Sequence, residues 1–513
     1  MVLDRPNPPE PEDIARWNLT ALRERMLIGD WYEDLRIELS QFFAPEVLAR
    51  MTHPDVTRNP QKSFNVQKNV LYNDPPVVVI ETGEGEATEP TDLDAIIRPE
   101  LWPLRQRCHL LTLGLRESFM RLDWHEGGGI GYRIVSPAWV TAWATPAKPT
   151  VPVVVRELRL RKAEGEVDPW WVWETWDLRD PKAPVFKVEI NDSHDAKKLI
   201  DVTLRFAKEG DGPYPYLRTN GEGILPWVLY HACVSDQLFG WQEQRELVDG
   251  TLKVGALWTL WFHGCRDCSH PQRVGLDVEA PAATNTQTVI GPVDKIALDQ
   301  SAILLLNSKG GRNGSLTTLA PAMDPKAMAD AIMAYEAGLS QEAGISPADL
   351  QVGGSAGMSG YAIVVSRDGL RTAQRSQIPS AMMGDQQLLA TAAMLANAYG
   401  DGGGLPEDPE AYAITYADLG KSAEEIKGDL AEIETLTGAG LIGPIDAIQR
   451  VYPQLDRDSA IQKVVDIQRQ QAEIDAALVA AGFAPQTAVA PTAAMPMPPT
   501  DIPPTEPPAT PGA

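Results

Sequence analysis

Two long helical patterns lie on either side of a stretch of short strands, and this order constrains the fold more than any other feature. The first helix is predicted over about residues 235–262. The second, over residues 324–344, opens with Asp-Pro, because Asp is a preferred N-cap and Pro fits the first helical position. Residues 273–321 between them carry short apolar runs and turns. This order predicts an α+β fold with a β-rich insert between two helices.

A glycine-rich loop and a third long helical pattern follow this pair. Glycine recurs through residues 353–360, and the third helix is predicted over residues 361–399. That pattern contains Pro379, where a bend is expected because proline cannot donate the hydrogen bond of a regular helix. The glycines give the preceding loop conformational freedom that other residues lack.

The N-terminal half alternates between helical and strand-like patterns. Helices are predicted over about residues 10–50 and 99–121, with a short strand over residues 75–80 between them. From residue 127 to about residue 205, β-branched and aromatic residues alternate with polar ones and are interrupted by Pro and Gly, which predicts antiparallel strands. Residues 225–230 form one more predicted extended segment.

The C-terminal part divides into a helical module and a tail. After three consecutive glycines, the sequence predicts a smaller, mostly helical module over residues 405–485. Residues 486–513 are rich in Pro, Ala and Thr and contain no basic residue. Such a composition cannot bury enough apolar surface to fold, so this tail is predicted to be disordered.

Composition indicates a folded protein of several domains. At 513 residues the chain exceeds one ordinary core, and 43% hydrophobic residues is a normal content. No window approaches the roughly 20 apolar residues of a membrane span, and the first residues lack a signal pattern. We therefore expect no membrane contact and a cytoplasmic origin. Four cysteines are too few for a disulfide framework at this length.

The formal net charge of −25 limits how the chain can contact DNA. A protein that grips DNA through its phosphates is usually basic, because the release of counterions drives that binding. An acidic chain repels the duplex as a whole. It can still surround DNA where the contact is loose, and its charge keeps unassembled subunits soluble.

One motif is typical of a serine hydrolase but lacks its partner. Residues 353–357 match the G-x-S-x-G nucleophile elbow, with Ser355 as the nucleophile. The base of that fold is a histidine that follows the serine, whereas the histidines of this chain end at His270. The sequence therefore favours a flexible loop.

A second motif is similar to a phosphate-binding loop. Residues 420–422 read Gly-Lys-Ser and precede a helical pattern, but Thr415 stands where the loop requires glycine. A capping box from Ser422 to Glu425 is the simpler interpretation. No pair of carboxylates and no nucleophile–base set stands out elsewhere, so we predict no catalytic residue and no enzyme.

Cys265 and Cys268 have the spacing of metal ligands, with His263 and His270 on either side. Tetrahedral zinc would need all four to converge or a second pair elsewhere, and the sequence contains no second pair. The sequence favours reduced thiols near the end of a helix, and we expect no metal and no cofactor.

Arg367, Arg371 and Arg375 lie four residues apart and so share one face of the third helix; we call them the arginine stripe. A basic stripe can face phosphates, or it can form a solvated or intersubunit salt-bridging face. Both alternatives remain open from the sequence.

Three short motifs accompany the order of elements. Residues 223–228 lead into the first long helix, and residues 345–347 with 359–363 form a loop and the start of the third helix. Residues 437–447 and the helical pattern over 458–478 form the last motif. In these motifs and in its module order, the chain resembles the portal proteins of tailed bacteriophages, which are head-to-tail connectors.

The resemblance covers most of residues 15–483 and implies a portal fold that assembles as a ring. The implied regions are an N-terminal region and wing over 1–245, stem helices over 246–345 with a β-rich clip at about 273–321, a channel loop and long tunnel helix over 346–404, an α-helical crown over 405–485, and the disordered tail over 486–513.

The same resemblance implies which residues meet DNA. The implied channel loop contains Gln351, Val352, Gly353, Gly354, Ser355, Met358 and Ser359. Lys309 and Arg312 would lie in the clip, and the arginine stripe would be the DNA-facing basic group.

The resemblance also implies partners and location. A portal is a homo-oligomer, usually a dodecamer, through which double-stranded DNA passes without sequence recognition. Its partners are the terminase motor, the major capsid protein, the scaffold and the head-completion or adaptor proteins. Its place is one vertex of the virion capsid, and the host cytoplasm during assembly. The alternatives are another phage structural protein (a capsid or head–tail adaptor subunit), a serine hydrolase using Ser355, and a zinc-binding module at Cys265 and Cys268.

Overall fold

The computed structural model describes most of the chain in two compact units, and the division falls in sequence between Gly420 and Lys421. The described residues are 10–43, 57–80, 90–125, 129–162, 168–192, 198–206, 214–269, 272–276, 303–306, 315–319, 324–345, 360–400, 404–417, 423–451 and 457–480, with Pro6, Pro8, Pro45, Leu48 and Gly127.

Helices occur in both units. They are α1 (Pro11–Ile28), α2 (Tyr32–Leu39), α3 (Pro60–Lys68), α4 (Leu101–Leu115), α5 (Thr203–Phe206), α6 (Arg245–Ser269), α7 (Pro325–Glu342), α8 (Gly360–Tyr399), α9 (Ala423–Gly438), α10 (Pro444–Val451) and α11 (Arg457–Ala480).

The described strands all belong to the first unit. They are β1 (Val77–Ile80), β2 (Glu117–His125), β3 (Gly129–Val135), β4 (Val140–Thr145), β5 (Lys148–Arg161), β6 (Trp170–Asp177), β7 (Val185–Asn191), β8 (Leu199–Asp201), β9 (Trp227–His231), β10 (Gln272–Leu276), β11 (Ile303–Leu306), β12 (Ser315–Leu319) and β13 (Tyr412–Thr415). They pair as β4-β5-β6-β7-β8, β3-β2-β9, β11-β10-β12 and β1-β13. Together with the helices, these sheets confirm the α+β class.

The end of α4 corrects one expectation. The predicted helix over 99–121 ends at Leu115, because Arg116 adopts a left-handed backbone with φ of 79°. Strand β2 begins at the next residue and pairs with both β3 and β9. The apolar residues after Arg116 alternate in a strand instead of following the helical period.

Strand β2 separates two cores because successive side chains point to opposite faces of a sheet. Phe119 packs with Val155 and Trp176 of the five-stranded sheet. On the other face, Met120 and Leu122 join the core formed with α4 and α8. The β3-β2-β9 sheet is therefore covered by the five-stranded sheet on one side and by helices on the other.

Charged side chains bridge the two sheets. Arg121 of β2 donates to Glu157 and Glu174 of the facing sheet, each at 2.8 Å. Arg133 also binds Glu157, and Arg161 binds Glu174. Arg121, Glu157 and Glu174 are all buried, so they depend on one another for charge compensation.

Helices α6 and α7 form an antiparallel pair that the β10-β11-β12 sheet joins at one end. Trp261 donates to the Pro325 carbonyl at 2.7 Å, and Trp258 donates to Glu336 at 2.6 Å. Asp324 caps α7 as predicted, since its side chain accepts from two backbone amides of the first turn. The predicted start of α6 near residue 235 is wrong, since the helix begins at Arg245.

The second unit contains α9, α10 and α11. Helix α9 ends in a turn in which Gly440 has φ of 71° and the amide of Leu441 bonds the Leu436 carbonyl at 2.9 Å. This is the usual glycine-terminated helix end, and it lies within the motif noted at residues 437–447. Arg450 of α10 pairs with Glu432 of α9 at 3.3 Å.

Among the described residues, none of the helices combines the length and the apolar character that a membrane crossing requires.

Candidate functional site

Helix α8 is the longest described helix and the centre of the candidate site. Its 40 residues continue through Pro379. The second half is rich in Ala and Leu, which are strong helix formers, and every residue from Leu388 to Ala393 is buried, so the core surrounds the helix there. The buried apolar residues of this half are Ala381, Leu388, Leu389, Ala390, Ala392, Ala393, Leu395 and Ala396. This half of α8 packs on α4 and on the β3-β2-β9 sheet.

Asp385 lies in this half of α8 and is fully buried. Its Oδ1 accepts from Arg105 Nε at 2.6 Å and from the Tyr230 hydroxyl at 3.1 Å. Its Oδ2 accepts from the hydroxyls of Tyr72 at 2.6 Å and Tyr416 at 2.7 Å. Four donors from separate segments of the chain thus satisfy one carboxylate, and we call these five residues the Asp385 hub.

Ring contacts and charge reinforce the Asp385 hub. The Arg105 guanidinium lies 3.7 Å from the centre of the Tyr230 ring and 4.6 Å from that of Tyr72. Burial alone would lower the pKa of Arg105, but the Asp385 carboxylate, together with Tyr230, Tyr72 and Cys108, raises that pKa well above its usual value. Burial also raises the pKa of Tyr72 and Tyr230, so both phenols remain protonated donors. The hub holds α8 in the core with one compensated pair of charges.

Two glutamines fix α8 in the turns just before Pro379. Gln374 donates to the Ala417 carbonyl at 2.8 Å, and Gln377 accepts from His109 at 3.0 Å. Burial lowers the pKa of His109 to about 4, so its ring is neutral near pH 7. The part of the helix from Gln374 onward is therefore attached to the segment after β13, to α4 and to the sheet.

The arginine stripe lies in the other half of α8, as the sequence predicted. Arg375 is exposed and Arg371 is partly buried, whereas the side chain of Arg367 lies outside the described residues. Their spacing places them along one face of the helix. The orientation of this stripe toward DNA remains a prediction.

The other predicted site residues are not described. The channel-loop residues Gln351, Val352, Gly353, Gly354, Ser355, Met358 and Ser359 and the clip residues Lys309 and Arg312 lie outside the described residues. The same holds for the Gly-Lys-Ser motif at residues 420–422 and its proposed cap. The described part of the structure leaves their roles as predictions.

The cysteine motif lies in the last turns of α6. Cys265 and Cys268 are both reduced and partly buried. Among the described residues, no group of three or more His, Cys, Asp or Glu side chains could hold a metal ion.

Sequence reasoning did not identify the Asp385 hub. Its members come from positions 72, 105, 230, 385 and 416, so no local spacing connects them. One signal was available. An aspartate within the long Ala- and Leu-rich run of α8 would cost stability unless it were paired, so it marks a buried partner.

The fold is that of a mixed helix-and-sheet protein with one long helix anchored in the core. No protein-family model and no curated protein matches the chain. Among solved structures, the chain is similar to a chain of the neck of an empty GTA particle computed with C6 symmetry, with a TM-score of 0.36 and 11% identity. The similarity covers 89% of this chain and 96% of that chain. A TM-score this low does not define a common fold.

Proposed function

We propose that the chain is the portal subunit of a tailed phage, forming a ring-shaped channel for DNA at one vertex of the capsid. In this proposal residues 1–245 form the wing, 246–345 the stem with its clip, and 346–404 the channel loop and tunnel helix. Residues 405–485 form the crown, and 486–513 the tail. The role is structural, without a catalytic residue or cofactor.

The observation that supports the proposal most is the order of α6, the three-stranded insert, α7 and α8. An antiparallel helix pair carrying a small sheet at one end suits a stem with a clip. In the insert, β10 pairs antiparallel with β12 and parallel with β11. The next long helix is fixed at its second half by the Asp385 hub. A helix attached at one end can present its other end, and the loop before it, to a channel.

The charge of the chain suits DNA that slides. With a net charge of −25, a ring of such subunits repels the phosphate backbone and keeps the duplex away from the walls. Strong phosphate contacts would slow movement in both directions. The arginine stripe would supply transient contacts only.

The proposed partners follow from the same role. A ring of identical subunits uses head-to-tail contacts that close by rotation. The terminase and the head-completion or adaptor proteins would bind at the clip, and the capsid shell and scaffold at the wing. In the virion, the ring would occupy a single vertex.

Assembly state tests the proposal. The full chain is purified and studied by native mass spectrometry and negative-stain microscopy, and the expected result is a closed ring with a central hole. Antibody labelling of particles should then mark a single vertex, whereas a capsid subunit would be labelled over the whole shell. A chain that stays monomeric at every concentration, with and without its shell proteins, would overturn the proposal.

One variant separates the proposal from a hydrolase. Ser355→Ala should leave ring assembly and DNA packaging unchanged, because the proposed role of Ser355 is only to lie in a small-residue loop. Loss of a measured esterase activity in this variant would instead support the nucleophile-elbow alternative.

A further inference from the structure

The residues that join β9 to α6 form turns where the sequence predicts helix. We call residues 232–244 the connector. The helical pattern begins near residue 235, yet α6 starts at Arg245 and the residues before it form bends and turns. Places where local preference and structure disagree are commonly held by tertiary contacts, and they are commonly functional.

The connector ends at a strained residue. Gln244 has φ of 53°, and Arg116, at the end of α4, has φ of 79°. Within the described ranges these are the only two non-glycine residues with positive φ. The left-handed conformation costs free energy for residues that carry a Cβ, so other contacts must hold both residues there.

The two strained residues are joined through Glu243. Arg116 donates to Glu243 Oε2 from Nη2 at 2.7 Å and from Nε at 3.1 Å. Glu243 immediately precedes Gln244, so this ion pair fixes the backbone next to the strained position. The Cys233 thiol also donates to Glu243 Oε2, at 3.3 Å.

Three further contacts attach the connector to the core. The amide of Gly240 donates to the buried Glu117 at 3.2 Å, and the Arg16 guanidinium lies 3.9 Å from the centre of the Phe239 ring. Arg23 donates to the Glu243 carbonyl. A carbonyl and an amide that are used in this way are unavailable for the hydrogen bonds of a longer α6.

We propose that the connector has two states: the pinned state seen here, and an extended state in which α6 continues toward Ser235. The Arg116–Glu243 pair and the left-handed Gln244 hold the pinned state. When the pair breaks, Gln244 returns to a right-handed backbone and the helix grows by up to about ten residues, or roughly 15 Å. The inference concerns this chain in any assembly and does not depend on the proposed function.

The extended state has a local driving force. Gln242, Glu243 and Gln244 have straight side chains that favour helix, and Ser235 and Asp236 are suitable N-caps. Extension also removes the left-handed strain at Gln244. It breaks the packing and hydrogen bonds of the pinned connector, so a single side-chain change can shift the balance.

Amide hydrogen exchange distinguishes the two states, because the exchange rate should change in opposite directions. In the full chain, Glu243→Ala should slow exchange of the amides of residues 241–246 by about tenfold, because the Arg116 pair is lost and these amides acquire helical partners. If the Arg116–Glu243 pair only held the connector in its folded position, loss of the pair would speed the exchange of these amides. Unchanged or faster exchange in this variant would overturn the proposal.

Two control variants isolate the cause. Gln244→Gly should keep the rate of the unmodified chain, since glycine accepts the left-handed conformation. Gln242→Ala raises helix preference by the same amount one residue away without touching Arg116, and its rate should change less than twofold. Slowing by Gln242→Ala as large as that by Glu243→Ala would show that release of Arg116 is not the cause, and the proposal would fail.

Discussion

Arg105 and Asp385 form an ion pair at 2.6 Å between residues that are 1% and 0% exposed, 280 positions apart in the chain. Neither charge reaches water, so each compensates the other, and the three tyrosine hydroxyls complete the hydrogen bonding of the carboxylate. The pair joins α4 to the centre of the long helix. The position of α8 in the core therefore depends on a polar contact as well as on apolar packing.

Removal of one partner should be costly. Asp385→Ala leaves the Arg105 guanidinium buried without its carboxylate, and we expect the free energy of unfolding to fall by about 3–5 kcal/mol in urea denaturation. The matched control is Arg36→Gln, which removes a pair with Glu33 at 3.5 Å between exposed side chains. That change should cost about 0.5 kcal/mol or less. Equal effects from the two substitutions would contradict this account.

Two glycines in helices should respond to alanine in opposite directions. A Cβ at Gly384 would lie 2.4 Å from the ring of the buried Tyr230, whose position is fixed by the Asp385 hub. Gly384→Ala should therefore destabilise the protein by about 1–3 kcal/mol despite its better helix preference. A Cβ at Gly338 of α7 would meet nothing within 4 Å among the described residues beyond its own stretch of helix, so Gly338→Ala should stabilise the protein by about 0.5–1 kcal/mol. Thermal unfolding of both variants is the measurement, and a shift of the same sign in both would be the contrary result.

Local patterns predicted several regular elements well. The strand at residues 75–80, the Asp324 cap of α7 and the long helix α8 needed only periodicity and capping rules. The errors lie where a contact with a residue far away in the chain determines the backbone conformation. Arg116 ends α4 early and Gln244 delays α6, and both conformations depend on a pair that spans more than a hundred residues.

The candidate site was predicted less completely, for a physical reason. The arginine stripe follows from helical spacing alone, whereas the Asp385 hub unites five distant positions. A buried carboxylate is recognisable in a sequence only as a charge in an apolar run, and its donors can come from anywhere in the chain. The channel loop rests on family resemblance, and its residues lie outside those the structure describes.

The buried Glu117 predicts a pH dependence of stability. Burial raises its pKa to about 7 despite the nearby Arg16, Arg23 and Arg116, whereas an unperturbed carboxyl of this kind has a pKa of 4.5. Between these values the folded chain keeps a proton that the unfolded chain releases, so the free energy of unfolding falls as pH rises through this window and then levels off. In Glu117→Gln the side chain neither binds nor releases a proton in this window. The stability of this variant relative to the unmodified chain should rise by about 3 kcal/mol from pH 4.5 to pH 7.5 in urea titrations.

Parallel stability curves for the two proteins across that range would show that Glu117 ionises normally in the fold.

The buried His109 predicts a pH dependence of stability with the opposite sign. Burial lowers the pKa of His109 to about 4, so the unfolded chain takes up a proton first, and the stability that the neutral ring contributes is lost as pH falls from 6.5 toward 4. His109→Gln should be less sensitive to acid in that window.

The arginine stripe offers a test of DNA binding that is separate from assembly. Under the proposed function, Arg371→Ala with Arg375→Ala should leave the ring intact but weaken its non-specific DNA binding. The slope of log affinity against log salt concentration should also become shallower by about 0.9 for each phosphate that the variant ring no longer neutralises. Arg107→Ala, an exposed arginine on α4, is the matched control and should leave the slope unchanged. If the paired substitution prevents ring formation, the stripe contacts a neighbouring subunit instead, and the DNA-facing assignment is wrong; an intact ring with an unchanged slope leads to the same rejection.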